Sequence, residues 1–260
     1  MDAKEIIKEV LGKKYVYLVD RGNSAIKLAL QVAKNKGFEK AYIQDQGGWL
    51  TYRQFPKKMG FEVVELKTDG GLIIPAGLMG QNNFAVSKKN VLLYQSMAGY
   101  CAEQDTEEIR KNFGGLIILD LCNLGDKVEF EADIFIGSFG KDKVVNLGYG
   151  GFIASDFEID IKGYEFDMNK EGELLEKLYA SKKRLKFLYH KNRKVKLDLN
   201  SLDVIHKDKK GINVIVKFKN DKEKEDIIDY CNKKSYEYTL CPRYIRVNED
   251  AVSIELKRLS

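Results

Sequence analysis

Through the first 155 residues the apolar positions switch repeatedly between two periods. Short, nearly continuous apolar runs at 15–19, 41–45, 61–66, 91–95, 115–120, 132–137 and 151–155 read as strands. Between them the helical period predicts helices over 2–11, 22–36 and 105–113, and one opening in 46–52 and running to Lys58. In the second of these, Ala25, Leu28, Ala29, Val32 and Ala33 share a face; in the third, Asp105 or Thr106 caps and Gly114 stops the helix. The glycine-rich segment 69–89 fits neither period and stays unassigned. Strands alternating with helices predict an α/β fold built on a mainly parallel sheet flanked by helices.

Beyond Asp156 the pattern changes. A helix over 173–189 carries Leu174, Leu178, Leu185 and Leu188 on one face, hairpin strands follow at 201–205 and 212–218, and a helix covers 221–233. Strands at 236–240 and 244–247 complete a small C-terminal α+β domain, so the expected division is 1–165 and 166–260.

Composition narrows the chemistry. A chain of 260 residues, 44% hydrophobic, can bury a sizeable core. Its apolar runs are strand-sized and nothing resembles a signal peptide, so a soluble, cytoplasmic protein without membrane contact is expected. Cys101, Cys122, Cys231 and Cys241 are widely spaced, which points to buried thiols rather than a disulfide framework or zinc ribbon. His190 and His206 form no ligand-like cluster, leaving lysine and carboxylate to carry any chemistry. The net charge of +5 is modest; the basic run 182–196 reads as a solvated helix face and turn rather than a nucleic-acid site, because no aromatic stacking platform accompanies it.

Four places could carry that chemistry. The loop 138–151, SFGKDKVVNLGYGG, sets Lys141 and Lys143 between two strand ends, with Gly148, Gly150 and Gly151 permitting close backbone approach to a ligand; a plain solvated connection is the alternative. The turn 20–25, with Asn23 or Ser24 as a helix N-cap, offers backbone N–H groups to an anion or is simply a capped helix. Asp120 ends a strand suited to burial on both faces, where ligands of open α/β sheets gather, although acids at strand ends also serve as caps. Trp49, the only tryptophan, follows two glycines and reads either as core packing or as a stacking face.

The spacing Ser-Phe-x-x-x-Lys followed by the glycines resembles the lysine loop of the DegT/StrS sugar-aminotransferase family, fold type I enzymes that depend on pyridoxal 5'-phosphate (PLP). The resemblance selects Lys143 over Lys141 as the Schiff-base lysine. It further implies that Asn23, Ser24 and Ser138 hold the cofactor phosphate, that Trp49 stacks on the pyridine ring, that Asp120 pairs with the ring nitrogen and that Asn123 touches the ring oxygen. Tyr100 and Arg246 are the implied substrate contacts. Where the family commonly has His-Pro before the lysine and an acid before the aspartate, this chain has Lys141-Asp142 and Leu119. The chain is also roughly a hundred residues shorter than such enzymes, mostly after Gly151.

The activity so implied is PLP-dependent transamination between a small-molecule amino donor and a keto acceptor, by a homodimer. A fold type I lyase or decarboxylase, or a non-catalytic α/β module that kept the scaffold, are the other readings open at this stage.

Overall fold

A computed structural model describes residues 1–75, 78, 89–121, 123–125, 127–243 and 247–259. The seven strands read from the sequence form a single sheet. They are β1 (Tyr15–Val19), β2 (Lys40–Gln44), β3 (Glu62–Leu66), β6 (Asn90–Gln95), β7 (Leu116–Leu121), β8 (Ile134–Ser138) and β9 (Gly151–Ser155). A two-stranded ribbon, β4 (Thr68–Asp69) and β5 (Leu72–Ile73), occupies the start of the segment left unassigned. The sheet order is β1-β9-β8-β7-β6-β2-β3, and only β9 runs against the rest.

Successive residues of a strand face opposite sides, and the period of two sorts the core into two layers. On one side Leu92, Tyr94, Ile117, Leu119 and Phe135 pack under α1 (Ala3–Leu11), α4 (Thr106–Asn112) and the start of α5 (Glu171–Asp198). On the other, Val91, Leu93, Leu116, Ile118, Ile134 and Ile136 pack under α2 (Gly22–Asn35) and α3 (Thr51–Lys58). Helices on both faces explain why β6 and β9 are buried along their whole length. The expected α/β architecture is the observed one.

Capping follows the sequence at α1, where Asp2 and Glu5 form a capping box, and at α4, where the Asp105 side chain accepts from the Glu108 N–H. It departs at α2. The N-cap there is Arg21, with no side-chain cap bond, rather than Asn23 or Ser24. Helix α3 also starts later than read, at Thr51, because Gly47 adopts a positive φ of 79° and holds the chain in a turn before Trp49.

The C-terminal part is a four-stranded antiparallel sheet, β10 (Asp203–Val204), β11 (Val214–Lys217), β13 (Val247–Ile254) and β12 (Tyr238–Arg243) in spatial order, covered by α6 (Asp221–Lys233). Its core joins Val214, Val216, Val252 and Ile254 to Ile227 and Cys231 of α6 and Val195 of α5. The helix read as 173–189 runs on to Asp198, so the basic run lies on helix throughout.

Along its 28 residues α5 serves three cores in turn. Leu174 and Leu178 pack on the large sheet, Leu185 and Leu188 on Met97, Cys101, Val144 and Ile212, and Val195 on the small sheet. Val144 neighbours Lys143 in sequence, so this middle cluster seats the lysine loop. Leu188→Ala, at a fully buried position, is expected to cost about 2–5 kcal/mol in denaturant unfolding. Cys101, Cys231 and Cys241 are buried and in no disulfide, as expected; Cys122 lies outside the described residues.

Candidate active site

One row of side chains explains where the site lies. Val91 and Leu93, Leu116 and Ile118, and Ile134 and Ile136 all face α2 and α3, and continuing each strand by two residues reaches Gln95, Asp120 and Ser138. In register, Gln95 lies opposite Asp120 and Asp120 opposite Ile136. At the carboxyl ends of β6, β7 and β8 the apolar row therefore becomes polar, and a cavity of about 370 Å³ opens there. Volumes of about 300–1,000 Å³ are usual for small-molecule sites. Asn23, Trp49, Asp120, Ser138, Lys141 and Lys143 all line it.

Asp120 sits half-buried at the floor of this cavity. The fully buried Tyr52, on the face of α3 that covers the row, donates its hydroxyl to Asp120 Oδ2 at 2.5 Å. Burial pushes the carboxyl above the ordinary carboxylate range, while the Lys143 ammonium and the Tyr52 hydroxyl pull the other way. Lys143 lines the same cavity as Asp120. Tyr52→Phe removes a donor that favours the carboxylate, so the Asp120 pKa is expected to rise further in the cofactor-free protein, read by NMR titration of its carboxyl carbon.

The lysine loop is held from inside. Phe139 N–H donates to Gly150 O at 3.0 Å, and Leu147 and Gly148 N–H donate to Phe139 O at 3.0 and 2.8 Å. Asp142 takes a positive φ of 63°, its N–H donating to Asn146 Oδ1 at 3.1 Å. At Gly150, with φ 82°, an added Cβ would lie 2.6 Å from the Phe166 ring, so glycine is required for both conformation and space. With Val144 and Val145 buried, Lys143 is half-buried whereas Lys141 is exposed.

The α2 turn closes the cavity on a third side. Gly22 lets the helix start approach Ser138, since a Cβ there would lie 2.6 Å from Ser138 Cβ. Ser138 Oγ accepts from Gly140 N–H at 3.1 Å. Asn23 Oδ1 accepts from Trp49 Nε1 at 3.1 Å, fixing the indole edge against the helix start. Trp49 packs against the core and also borders the cavity.

Three expected contacts lie elsewhere. Ser24 is buried in the first turn of α2 and is not in the cavity lining. Asn123 is likewise outside the lining; it accepts from Ser96 Oγ at 3.0 Å and donates to Tyr189 at 3.3 Å. Tyr100 is buried away from the cavity, its hydroxyl donating to Gln46 Oε1 at 2.7 Å and accepting from Asn248 N–H at 3.0 Å, and burial pushes its pKa up to about 12. Its neighbours Gly99 and Cys101 do line the cavity. Arg246 lies outside the described residues. Sequence reasoning missed Arg21, Tyr52, Gln95, Lys257 and Arg258; the period-two row could have found Gln95, while Lys257 and Arg258 carry no local signal.

Among the described residues no three His, Cys, Asp or Glu side chains gather as a metal site, and no helix is long and apolar enough to cross a membrane. Residues 177–260 match the family model described as the MJ1341 family C-terminal domain. No curated protein matches the sequence. Among solved structures, 97% of the chain superposes on 80% of a "NIFS-like protein" with TM-score 0.71 and 13% identity. The same share superposes on 70% of SPT "with PLP internal aldimine" with TM-score 0.72 and 11% identity. It also superposes on 86% of an E. coli GDP-4-keto-6-deoxy-D-mannose-3-dehydratase "with bound hydrated PLP", with TM-score 0.68 and 14% identity. The chain shares its α/β fold with these three solved structures.

Proposed function

We propose that this chain is a PLP-dependent enzyme, and within that class an aminotransferase of the kind the lysine loop resembles. One observation carries the reading: Lys143 and Asp120 line a single cavity at the carboxyl ends of the sheet. The donor set fits the cofactor. It offers an amine for the aldehyde, a carboxylate for a ring N–H, a flat aromatic beside them, and a tight approach of the α2 start to Ser138 for a phosphate.

When bound, PLP supplies an electron sink for charge developing at the substrate α-carbon. The residues do the rest. Asp120 would accept a charge-assisted hydrogen bond from a protonated ring nitrogen, and Tyr52 fixes the orientation of its carboxylate. Trp49, its indole held by Asn23, would offer the ring a flat face. Arg21, Asn23 and Ser138 take the phosphate; Ser24 supports the turn from inside. Lys143 would hold the aldehyde end of the cofactor, and its amine is the group placed to take a proton from the substrate α-carbon. Asn123, through Ser96 and Tyr189, supports the wall rather than the ring oxygen.

Adding PLP to the purified protein is expected to quench Trp49 fluorescence and to produce a visible band. An amino donor should then bleach the band and leave pyridoxamine phosphate. A band that persists, or bleaching with release of ammonia or carbon dioxide, contradicts transamination. The reading also carries a homodimer, which sedimentation tests.

A further inference from the structure

From Lys177 to Leu197 helix α5 carries nine lysines and arginines and no Asp or Glu, in a chain with 39 acidic residues overall. Several exposed cations elsewhere have carboxylates beside them. Lys40 reaches Glu62 at 2.9 Å, Lys89 reaches Glu39 at 2.7 Å, and Lys111 on α4 reaches Glu107 and Glu108 at 2.8 and 3.0 Å. Lys183, Lys186, Arg193 and Lys194 are exposed and form no ion pair among the described residues. Lys182 and Lys186 stand four residues apart, Lys183 and Lys186 three, and like charges so placed destabilise a helix. The helix dipole does not offset this, because it acts within the last turn and these lysines stand well before Asp198. A bound polyanion would remove the repulsion.

The same face gathers aromatic rings. Tyr179, Lys183, Phe187, His190 and Lys194 follow one another at spacings of three or four, so they share the stripe opposite the buried leucines of α5. Lys186 and Arg193 flank that stripe on one side and Lys191 on the other. Tyr179 is 66% exposed and Phe187 37%, with Lys191 Nζ 5.3 Å from the centroid of the Phe187 ring. Tyr179 precedes the basic run 182–196, so the linear sequence shows no stacking platform; the unbroken helix supplies one.

We infer that this face of α5 binds single-stranded nucleic acid, its cations taking the phosphates and Tyr179 and Phe187 stacking on bases. Charge and rings together match such a strand, which presents a phosphate backbone and unstacked bases side by side. An acidic peptide would use the cations and leave the rings in water, and a duplex keeps its bases stacked inside. The inference does not depend on the cofactor reading, since the face lies opposite Leu185 and Leu188, which pack toward the lysine loop.

The test is fluorescence anisotropy of a labelled oligouridylate of about 20 nucleotides, titrated with the full chain at about 50–200 mM salt. A Kd tighter than about 100 µM at the low-salt end is expected, weakening with salt at a log–log slope of about −3 for about four phosphate contacts. Lys183→Gln, Lys186→Gln and Lys194→Gln combined should flatten the slope by about 2 and weaken binding at least about tenfold. Tyr179→Ala should weaken binding about fivefold or more and leave the slope in place. Lys222→Gln with Lys233→Gln, equally exposed on α6, should change neither, which separates this face from general positive charge. Every substituted position is exposed, so the variants should unfold like the parent. Weaker binding than stated, equal competition by polyglutamate or by a duplex of the same length, or α5 variants that bind like the parent overturn the inference.

Discussion

Lys143→Ala is expected to lower turnover by at least about a thousandfold, because it removes both the anchoring amine and the base at the substrate α-carbon. The fold should survive, since the loop is held by backbone bonds from Phe139 to Gly150 and by buried Val144 and Val145, none of which involve the Lys143 side chain. Stopped assays with and without an added amine check this: a small external amine should restore part of the lost rate. Lys141→Ala should leave the visible band in place, because Lys141 is exposed and the electrostatic pull on Asp120 comes from Lys143.

Asp120→Asn is the second large effect. Losing the charge-assisted bond to the ring nitrogen removes about 1.5–3 kcal/mol, so PLP affinity should fall roughly 10–100-fold. In the cofactor-free protein the same substitution acts in the opposite direction. Burial raises the Asp120 pKa in the folded state, so the protonated form is favoured by folding. That contribution is fully present below the ordinary carboxylate pKa of about 3.9 and is lost as pH rises through the raised value. At neutral pH the cofactor-free Asp120→Asn protein should therefore be more stable than the parent, and the gap should close on acidification. Thermal unfolding with and without PLP across pH measures both halves, and a parent more stable than the variant in the absence of PLP contradicts the account.

These two residues were legible in the sequence because each ends a pattern. Asp120 terminates a doubly apolar strand, and Lys143 lies at fixed spacing after the next one, where a run of glycines marks a shaped loop. The same logic placed β9 at its observed bounds and α6 at Asp221–Lys233. It failed where tertiary packing overrides local pattern. Helix α5 was read as ending at Tyr189 because the next position of its buried stripe is the polar Asn192, although the stripe runs on at the same spacing to Val195. The cap of α2 was misread because Asn23, a strong capping residue by type, is engaged by the Trp49 indole instead.

Long-range placement was harder still. Tyr100 lies in the turn beyond β6, where a substrate contact was expected, yet it packs against the small sheet and its hydroxyl is taken up by Gln46 and Asn248. Lys257 and Arg258 reach the cavity only because β13, read as far as Val247 alone, runs to Ile254 between β11 and β12 and so returns the chain end toward the large sheet. Nothing local distinguishes those two cations from the many on the surface. Tyr52 is similar: its role follows from α3 covering the one sheet face on which Asp120 lies.

The most direct measurement is borohydride reduction of the PLP-loaded protein followed by peptide mass spectrometry. The account predicts a pyridoxyl-phosphate adduct on Lys143 and an unmodified Lys141. An adduct on Lys141 or any other lysine, or none at all, would contradict it.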